Sequence, residues 1–209
     1  HLFSSAASDV YKRQEFIEED KELDRPFFAY LSFQAQHIPL QAPQEFIEKY
    51  LDTYEDGWEV LREKRKNKAI EKGIFPSDKN IVDSFSNFDS WSNTDEESKR
   101  MFIKSMAVFA GMLDAMDFHI GRFMSYLKEE DLYENTIFIV TADNGPEGND
   151  PSDHKPWRDW IKTTIYDRDY DTLGDQDSYV YIGTEFAQAT ASPSPVSYTH
   201  LRAHETNVD

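Results

Sequence analysis

From Glu97 onward, Phe102, Met106, Phe109, Leu113, Met116, Ile120, Phe123 and Leu127 recur at intervals of three and four. That spacing lays an apolar stripe along one side of a long helix, which must be covered by a sheet or by other helices. A short loop, L-Y-E-N, then leads into T-I-F-I-V-T-A, an apolar, β-branched run of strand length. Upstream, residues 26–33 read P-F-F-A-Y-L-S-F, too densely apolar for a half-solvated strand, and predict a strand buried on both faces of a parallel sheet. Strand, loop, helix, loop, strand is the rhythm of an α/β domain with a mostly parallel central sheet.

Shorter signals fill in the rest. E-F-I-E-E-D-K-E-L-D predicts an acidic helix with Phe16, Ile17 and Leu23 inward, ended by Pro26. Pro43 is placed to open a helix through Q-E-F-I-E-K-Y-L. Trp58, Leu61 and Ile70 are the anchors of a charged segment that Gly73 and Pro76 close, and R-E-K-R-K-N-K within it reads as a solvated helix face. Residues 77–97 read as a polar insertion held by Phe85, Phe88 and Trp91, and S-Y-V-Y-I-G as a further strand.

The charge balance narrows the function. With 40 Asp and Glu against 22 Lys and Arg, the net charge of -18 repels nucleic acid and anionic membrane surfaces, so neither is an expected partner. A small anionic substrate would need local positive charge, such as a cation. The chain has no cysteine, which excludes disulfides and thiolate metal sites. No apolar run is long enough to span a bilayer as a helix, and the first residues lack the pattern of a signal peptide.

The candidate chemistry sits at the ends of the two expected strands. I-F-I-V-T-A ends in Asp143, Asn144 and Gly145. Asn-Gly after an apolar run signals a type I′ hairpin, but P-E-G-N-D-P-S-D is no returning strand. The other reading is a carboxylate and a carboxamide oxygen offered to Ca²⁺ or Mg²⁺, with Gly145 letting the backbone fold closely around the ion. His37 lies in the loop Q-A-Q-H-I-P-L-Q-A-P after the earlier strand. In one parallel sheet both loops open onto the same crevice, where ligands gather. A cation beside an imidazole suits cleavage of an anionic ester.

These residues also carry a resemblance. P-F-F-A-Y-L-S-F-Q-A-Q-H-I-P-L-Q-A-P resembles the histidine segment of bacterial arylsulfatases, and I-G-R-F-M-S-Y-L-K with N-T-I-F-I-V-T-A-D-N-G resembles their later metal segment. S-Y-V-Y-I-G-T-E-F-A-Q-A-T-A is similar to the stretch that follows, so the likeness covers about residues 15–195 in order. It implies an alkaline-phosphatase-like α/β/α sandwich and hydrolysis of sulfate monoesters with a divalent cation, Ca²⁺ before Mg²⁺. It further implies Asp143 and Asn144 as metal ligands, and His37 as a contact to the sulfate group and leaving-group acid. Gln36 stands where that family usually has proline, a loop-shape position.

The same resemblance shows what to look for elsewhere. Sulfatases use a formylglycine nucleophile made from Cys or Ser in a C/S-x-P-x-R motif, together with an early Asp pair that completes the metal site, and neither occurs here. The segment is therefore expected to be inactive alone. S-D-V-Y-K-R-Q near the start and V-S-Y-T-H-L-R-A-H-E-T at the end resemble translated sequencing-adaptor read-through. On that reading residues 1–14 and 196–209 are non-native tails, residues 15–195 are an incomplete catalytic domain, and His1, His200 and His204 carry no function.

Other titratable residues read as structural. His119 reads as a solvated or partly packed residue of the long helix, Asp114 and Asp117 share a face of it without a third ligand one turn away, and His154 and Lys155 follow the metal segment with no role assigned. Rival functions are a phosphatase or phosphodiesterase of the same superfamily, or a non-enzymatic fragment. The nucleophile separates the sulfatase reading from the first rival: Cys or Ser before x-P-x-R means sulfatase, and Thr or an unmodified Ser means phosphate chemistry. The sulfate ester, the oligomeric state and the compartment, bacterial periplasm or cytoplasm, stay open at this level.

Overall fold

The computed structural model describes residues 2–20, 23, 25–77, 89–148, 156, 159–160 and 168–193. Five helices organise them: α1 (Leu2–Asp20), α2 (Gln44–Ile47), α3 (Gly57–Glu71), α4 (Glu96–Glu129) and α5 (Gly183–Thr190). Short 3₁₀ turns follow α2 at Glu48–Tyr50, precede α4 at Trp91–Asn93 and follow it at Tyr133–Asn135. None of the described helices is long and apolar enough to cross a membrane.

Helix α4 is the spine. Its 34 residues span about 50 Å at 1.5 Å per residue. Asp95 caps it: the carboxylate accepts from Ser98 N at 2.9 Å. That backbone donor holds the Asp95 carboxyl below its ordinary range. Glu96 and Glu97 in the first turn and Lys128 in the last complement the helix dipole.

The main core lies along the first half of α4, where Met106, Ala107, Val108 and Met112 meet Leu40, Ile47, Trp58, Leu173, Val180, Ile182 and Phe186. Trp58 forms its aromatic centre, edge-on to Trp91 at 4.8 Å and to Phe186 at 5.5 Å between ring centroids. Helix α2 crosses α4 so closely at Gly111 that a Cβ there would stand 2.9 Å from Ile47 N. That crossing decides which residues of the stripe are covered. Small residues admit the partner, so Ala107, Gly111 and Ala115 are buried, whereas Leu113, expected inward, is 45% exposed.

A second, smaller cluster covers the far half of α4. Val10 and Ile17 of α1, two turns apart, pack with Phe123 and Leu127, and Phe27, Ala29, Leu31 and Phe33 lean against them. Helix α1 runs unbroken through residue 14, with Val10 1% exposed. Because α1 meets α4 along a single line, Phe16, expected inward, is exposed; Leu23, also expected inward, lies beyond the end of α1 and is exposed too.

The strand expectations change most. Residues 26–33 are extended and alternate, but only one face is covered: Phe28 is 92% and Tyr30 68% exposed, so burial on both faces is not observed. Residues 137–142 are extended too, with Ile137, Ile139 and Val140 at least 85% exposed. No backbone hydrogen bond joins either segment to a neighbour among the described residues. An extended segment becomes a strand only when another supplies its ladder partners, and local sequence cannot provide them. The further strand expected at S-Y-V-Y-I-G is reduced to a single bridge at Ser178, and by Ile182 the backbone has turned helical to open α5. Phe85 and Phe88 lie outside the described residues, while Trp91 packs on Trp58 as expected.

Candidate functional site

The two loops singled out by sequence converge on one stretch of chain, residues 174–184. Its shape begins at Gly174, whose φ of +96° is strained for any residue with a Cβ. The Ser178 hydroxyl closes the turn, accepting from Gly174 N at 2.9 Å and donating to Asp175 O at 2.9 Å. Lys104, a buried cation on α4, donates to the Tyr170 and Asp171 carbonyls and lies over the Tyr170 ring, fastening the preceding turn to the spine.

The His37 loop docks on this stretch from one side. Leu40 N donates to Val180 O at 3.0 Å, Ala42 N to Gly174 O at 3.0 Å, and the Gln41 side chain to Ser178 O at 3.2 Å. Gln44 Nε2 donates to Asp175 Oδ1 at 2.6 Å. The peptide bonds before Gln36 and Pro39 are cis. His37 itself is exposed; its backbone N–H donates to Gln34 O at 2.9 Å. Its ring Nδ1 lies 2.7 Å from Ile38 O. A carbonyl only accepts, so Nδ1 carries the hydrogen in that bond, and Nε2 is the nitrogen presented to an outside partner.

The Asp143 bend reaches the same stretch from the other side. Gly148 is buried against α5: a Cβ there would lie 2.9 Å from Thr184 Cα and from Ala187 Cβ, and Thr184 Oγ1 donates to Gly148 O at 3.1 Å. Asp143 and Asn144 stand exposed just before this anchor. Asp143 Oδ1 accepts from Asn144 N at 3.0 Å, and Asn144 Nδ2 donates to Gly145 O at 2.8 Å. Neither Asn144 nor Gly145 has the positive φ that a type I′ turn requires, and three residues after Gly145 the chain is bonded to α5 at Gly148.

The described geometry brings the loops to one support without joining their functional side chains. No hydrogen bond or ion pair links His37 to Asp143 or Asn144 among the described residues. Nor does any group of three or more His, Asp or Glu among them gather as a metal cage. Asp143 and Asn144 are hard oxygen donors of the type Ca²⁺ takes, and two of the six to eight it needs. A cleft of about 240 Å³ between Glu97, Ser98, Phe102, Arg168 and Tyr181 involves none of these residues.

The remaining candidates settle into structural roles. Asp114 pairs with Lys49 at 2.8 Å and Asp117 is exposed. His119 is half-buried, and desolvation with the nearby Arg122 lowers its pKa. His154 and Lys155, like His1, His200 and His204, lie outside the described residues. Sequence reasoning missed Lys104 and the Gln36 side chain, which bonds across to α4. A lone lysine inside the apolar stripe was the available signal for the first; nothing local marks the second.

The sulfatase family model matches residues 7–177. An uncharacterized sulfatase of Schizosaccharomyces pombe is 33% identical over 196 residues, 91% of this chain and 35% of that protein. An arylsulfatase of Klebsiella aerogenes is 29% identical over 193 residues, 90% of this chain and 40% of that protein. An arylsulfatase of Clostridium perfringens is 30% identical over 125 residues, 60% of this chain and 23% of that protein. The chain thus spans well under half the length of these curated relatives.

Proposed function

The chain belongs to the sulfatase family, and from that premise we propose that the protein it forms part of hydrolyses sulfate monoesters, aryl sulfates among them, using His37, Asp143 and Asn144. The observation that carries the reading is the docking of both loops on residues 174–184, through Leu40 to Val180 on one side and Thr184 to Gly148 on the other. Two loops fixed to one support can hold an imidazole and a pair of oxygen ligands in a constant relation.

In this reading the bond from Nδ1 to Ile38 O fixes the ring, and His37 acts as the imidazolium, with hydrogens on both nitrogens: Nε2–H contacts the sulfate group and passes its proton to the departing alcohol oxygen, leaving the neutral ring with its hydrogen on Nδ1. Asp143 and Asn144 contribute two oxygens to a Ca²⁺ site completed by residues elsewhere in the protein. Such an ion neutralises sulfate charge, which a chain of net charge -18 would otherwise repel. The formylglycine nucleophile also belongs elsewhere, since no C/S-x-P-x-R motif occurs in these residues, and the 209-residue chain alone is inactive. Residues 26–33 and 136–142 are read as strands of the parallel sheet of an alkaline-phosphatase-like sandwich, with support from the one-face alternation of Phe27, Ala29, Leu31 and Phe33.

The test is made on the full-length protein. His37→Ala is expected to lower kcat on an aryl sulfate by about a hundred- to ten-thousandfold with an unchanged melt. Asp143→Ala is expected to weaken Ca²⁺ binding strongly in calorimetry, and Asn144→Ala to weaken it less. Full turnover by the His37 variant, or turnover of phosphate monoesters in preference to sulfate, would end this reading.

A further inference from the structure

His37 sits between a segment bonded to residues 174–184 and one packed on the α1–α4 cluster. After Pro39, four hydrogen bonds from Leu40, Ala42, Gln41 and Gln44 secure the chain. Before Gln34, residues 26–33 make no backbone-to-backbone bond among the described residues and are held instead by Arg13, whose Nε donates to Tyr30 O at 3.1 Å, and by the packing of Phe27, Ala29, Leu31 and Phe33 on the second cluster. Among the described residues, one hydrogen bond joins residues 34–39 to another element: Gln36 Nε2 donates to Phe109 O on α4 at 3.2 Å, in a half-buried setting. The other two bonds of this stretch, His37 N to Gln34 O and His37 Nδ1 to Ile38 O, stay inside the loop and move with it.

Phe109 lies two residues before Gly111, where α2 presses on α4 backbone to backbone. That part of the helix is therefore among the least able to shift. A carbonyl oxygen in a helix has a second lone pair beyond the one used by the helix ladder, so it can take the Gln36 amide at no cost to α4. A donor is required at Gln36: an apolar or anionic side chain of the same length has nothing to offer a carbonyl.

We propose that Gln36 is the positioning residue of the His37 loop, pinning the Gln34–His37 turn to the Phe109 carbonyl of α4 and thereby setting where the imidazole stands. The inference rests on the reading of His37 as the imidazole that meets the sulfate ester, and it adds to that reading the group that places it. Gln36 touches no substrate in this scheme; it acts through His37 alone.

The experiment compares Gln36→Leu and the isosteric Gln36→Glu, which lacks a donor at neutral pH, with the wild type in the full-length protein, by hydrogen-exchange mass spectrometry and by kinetics. Exchange in the peptide holding the His37 amide is expected to quicken about five- to tenfold in both variants, the factor that one ordinary hydrogen bond supplies, while peptides holding Leu40 and Ala42 are unchanged. On an aryl sulfate, kcat is expected to fall about ten- to a hundredfold with KM held, the signature of a displaced proton donor. Unchanged exchange at His37 in both variants overturns the tether, and faster exchange with wild-type kcat overturns its role in the reaction. Full turnover by His37→Ala is a separate result that would bring down the reading of His37, so the two failures are told apart.

Discussion

Phe186 and Ile139 are both large apolar residues, yet the structure exposes 0% of one and 85% of the other. Phe186 lies on α5, whose position is settled by α3, by α4 and by the aromatic rings of Trp58, Trp91 and Phe102. Ile139 lies in an extended run with nothing across from it among the described residues. A helix brings its own backbone partners and needs only a face to be covered, whereas a strand must find its backbone partners on another segment before it can be fully buried. The helical half of this molecule is therefore a finished core, and the extended half is a set of surfaces in want of a sheet.

The comparison breaks most visibly at Phe186. Phe186→Ala removes a ring with no exposed surface from the centre of four aromatic contacts and is expected to cost about 3–5 kcal/mol in denaturant melts. A cost below about 1 kcal/mol would mean that the cluster collapses freely onto the gap and that this core is no better settled than the extended half.

Next comes the turn that carries both loops. Gly174→Ala would set a Cβ 2.6 Å from Ile47 Cδ1 and 2.7 Å from Val108 Cγ2, at a φ of +96°. Overpacking of that kind typically costs about 1–3 kcal/mol, with the backbone penalty added. The same substitution at Gly73, whose φ is +67° but whose surroundings are open, carries the backbone penalty alone. A melt series placing both at the same loss would show that backbone strain, and not the seating of Ile47 and Val108, sets the shape of the turn.

A smaller effect separates burial from charge at the edge of the core. Glu185 opens α5, where the helix dipole favours a carboxylate, but desolvation wins and raises its pKa, with Asp89 adding to the rise. A carboxyl raised in the folded state is bound more firmly to its proton there than in the unfolded chain. Folding is thus favoured with Glu185 protonated, and stability falls as pH climbs from the unfolded pKa through the folded one. Glu185→Gln is expected to raise the midpoint of unfolding above that window and to leave it unchanged below. A variant that gains equally at acid and neutral pH would assign the effect to packing.

What sequence could say divides along the same line. The three-and-four spacing of α4 is a local property and predicted the helix, as Trp58 predicted the anchor of α3. Which side of α4 would be closed depended on Gly111 meeting Ile47, a contact between distant parts of the chain, and so Leu113 was placed on the wrong side. His37, Asp143 and Asn144 were visible because they follow apolar runs and because their segments resemble a family. Their common support, the 174–184 stretch, depends on bonds such as Gln41 to Ser178, 137 residues apart, that no periodicity encodes.

The smallest expected effect is the sharpest test of the extended half. Ile139→Thr keeps a β-branched residue while removing apolar surface that is already 85% exposed, so in the 209-residue chain it should change stability by no more than about 0.5 kcal/mol. Solubility should rise instead, because an uncovered run of Ile137, Phe138, Ile139 and Val140 is a site for intermolecular pairing. In the full-length protein, where these residues are proposed to lie within a sheet, the same substitution should cost about 1–3 kcal/mol, as loss of buried apolar surface does. The pair of melts therefore reads the environment of one side chain twice. A large loss in the short chain would mean that the segment already packs there. A negligible loss in the full-length protein would mean that no sheet covers it, and the strand reading of residues 136–142 would go with it.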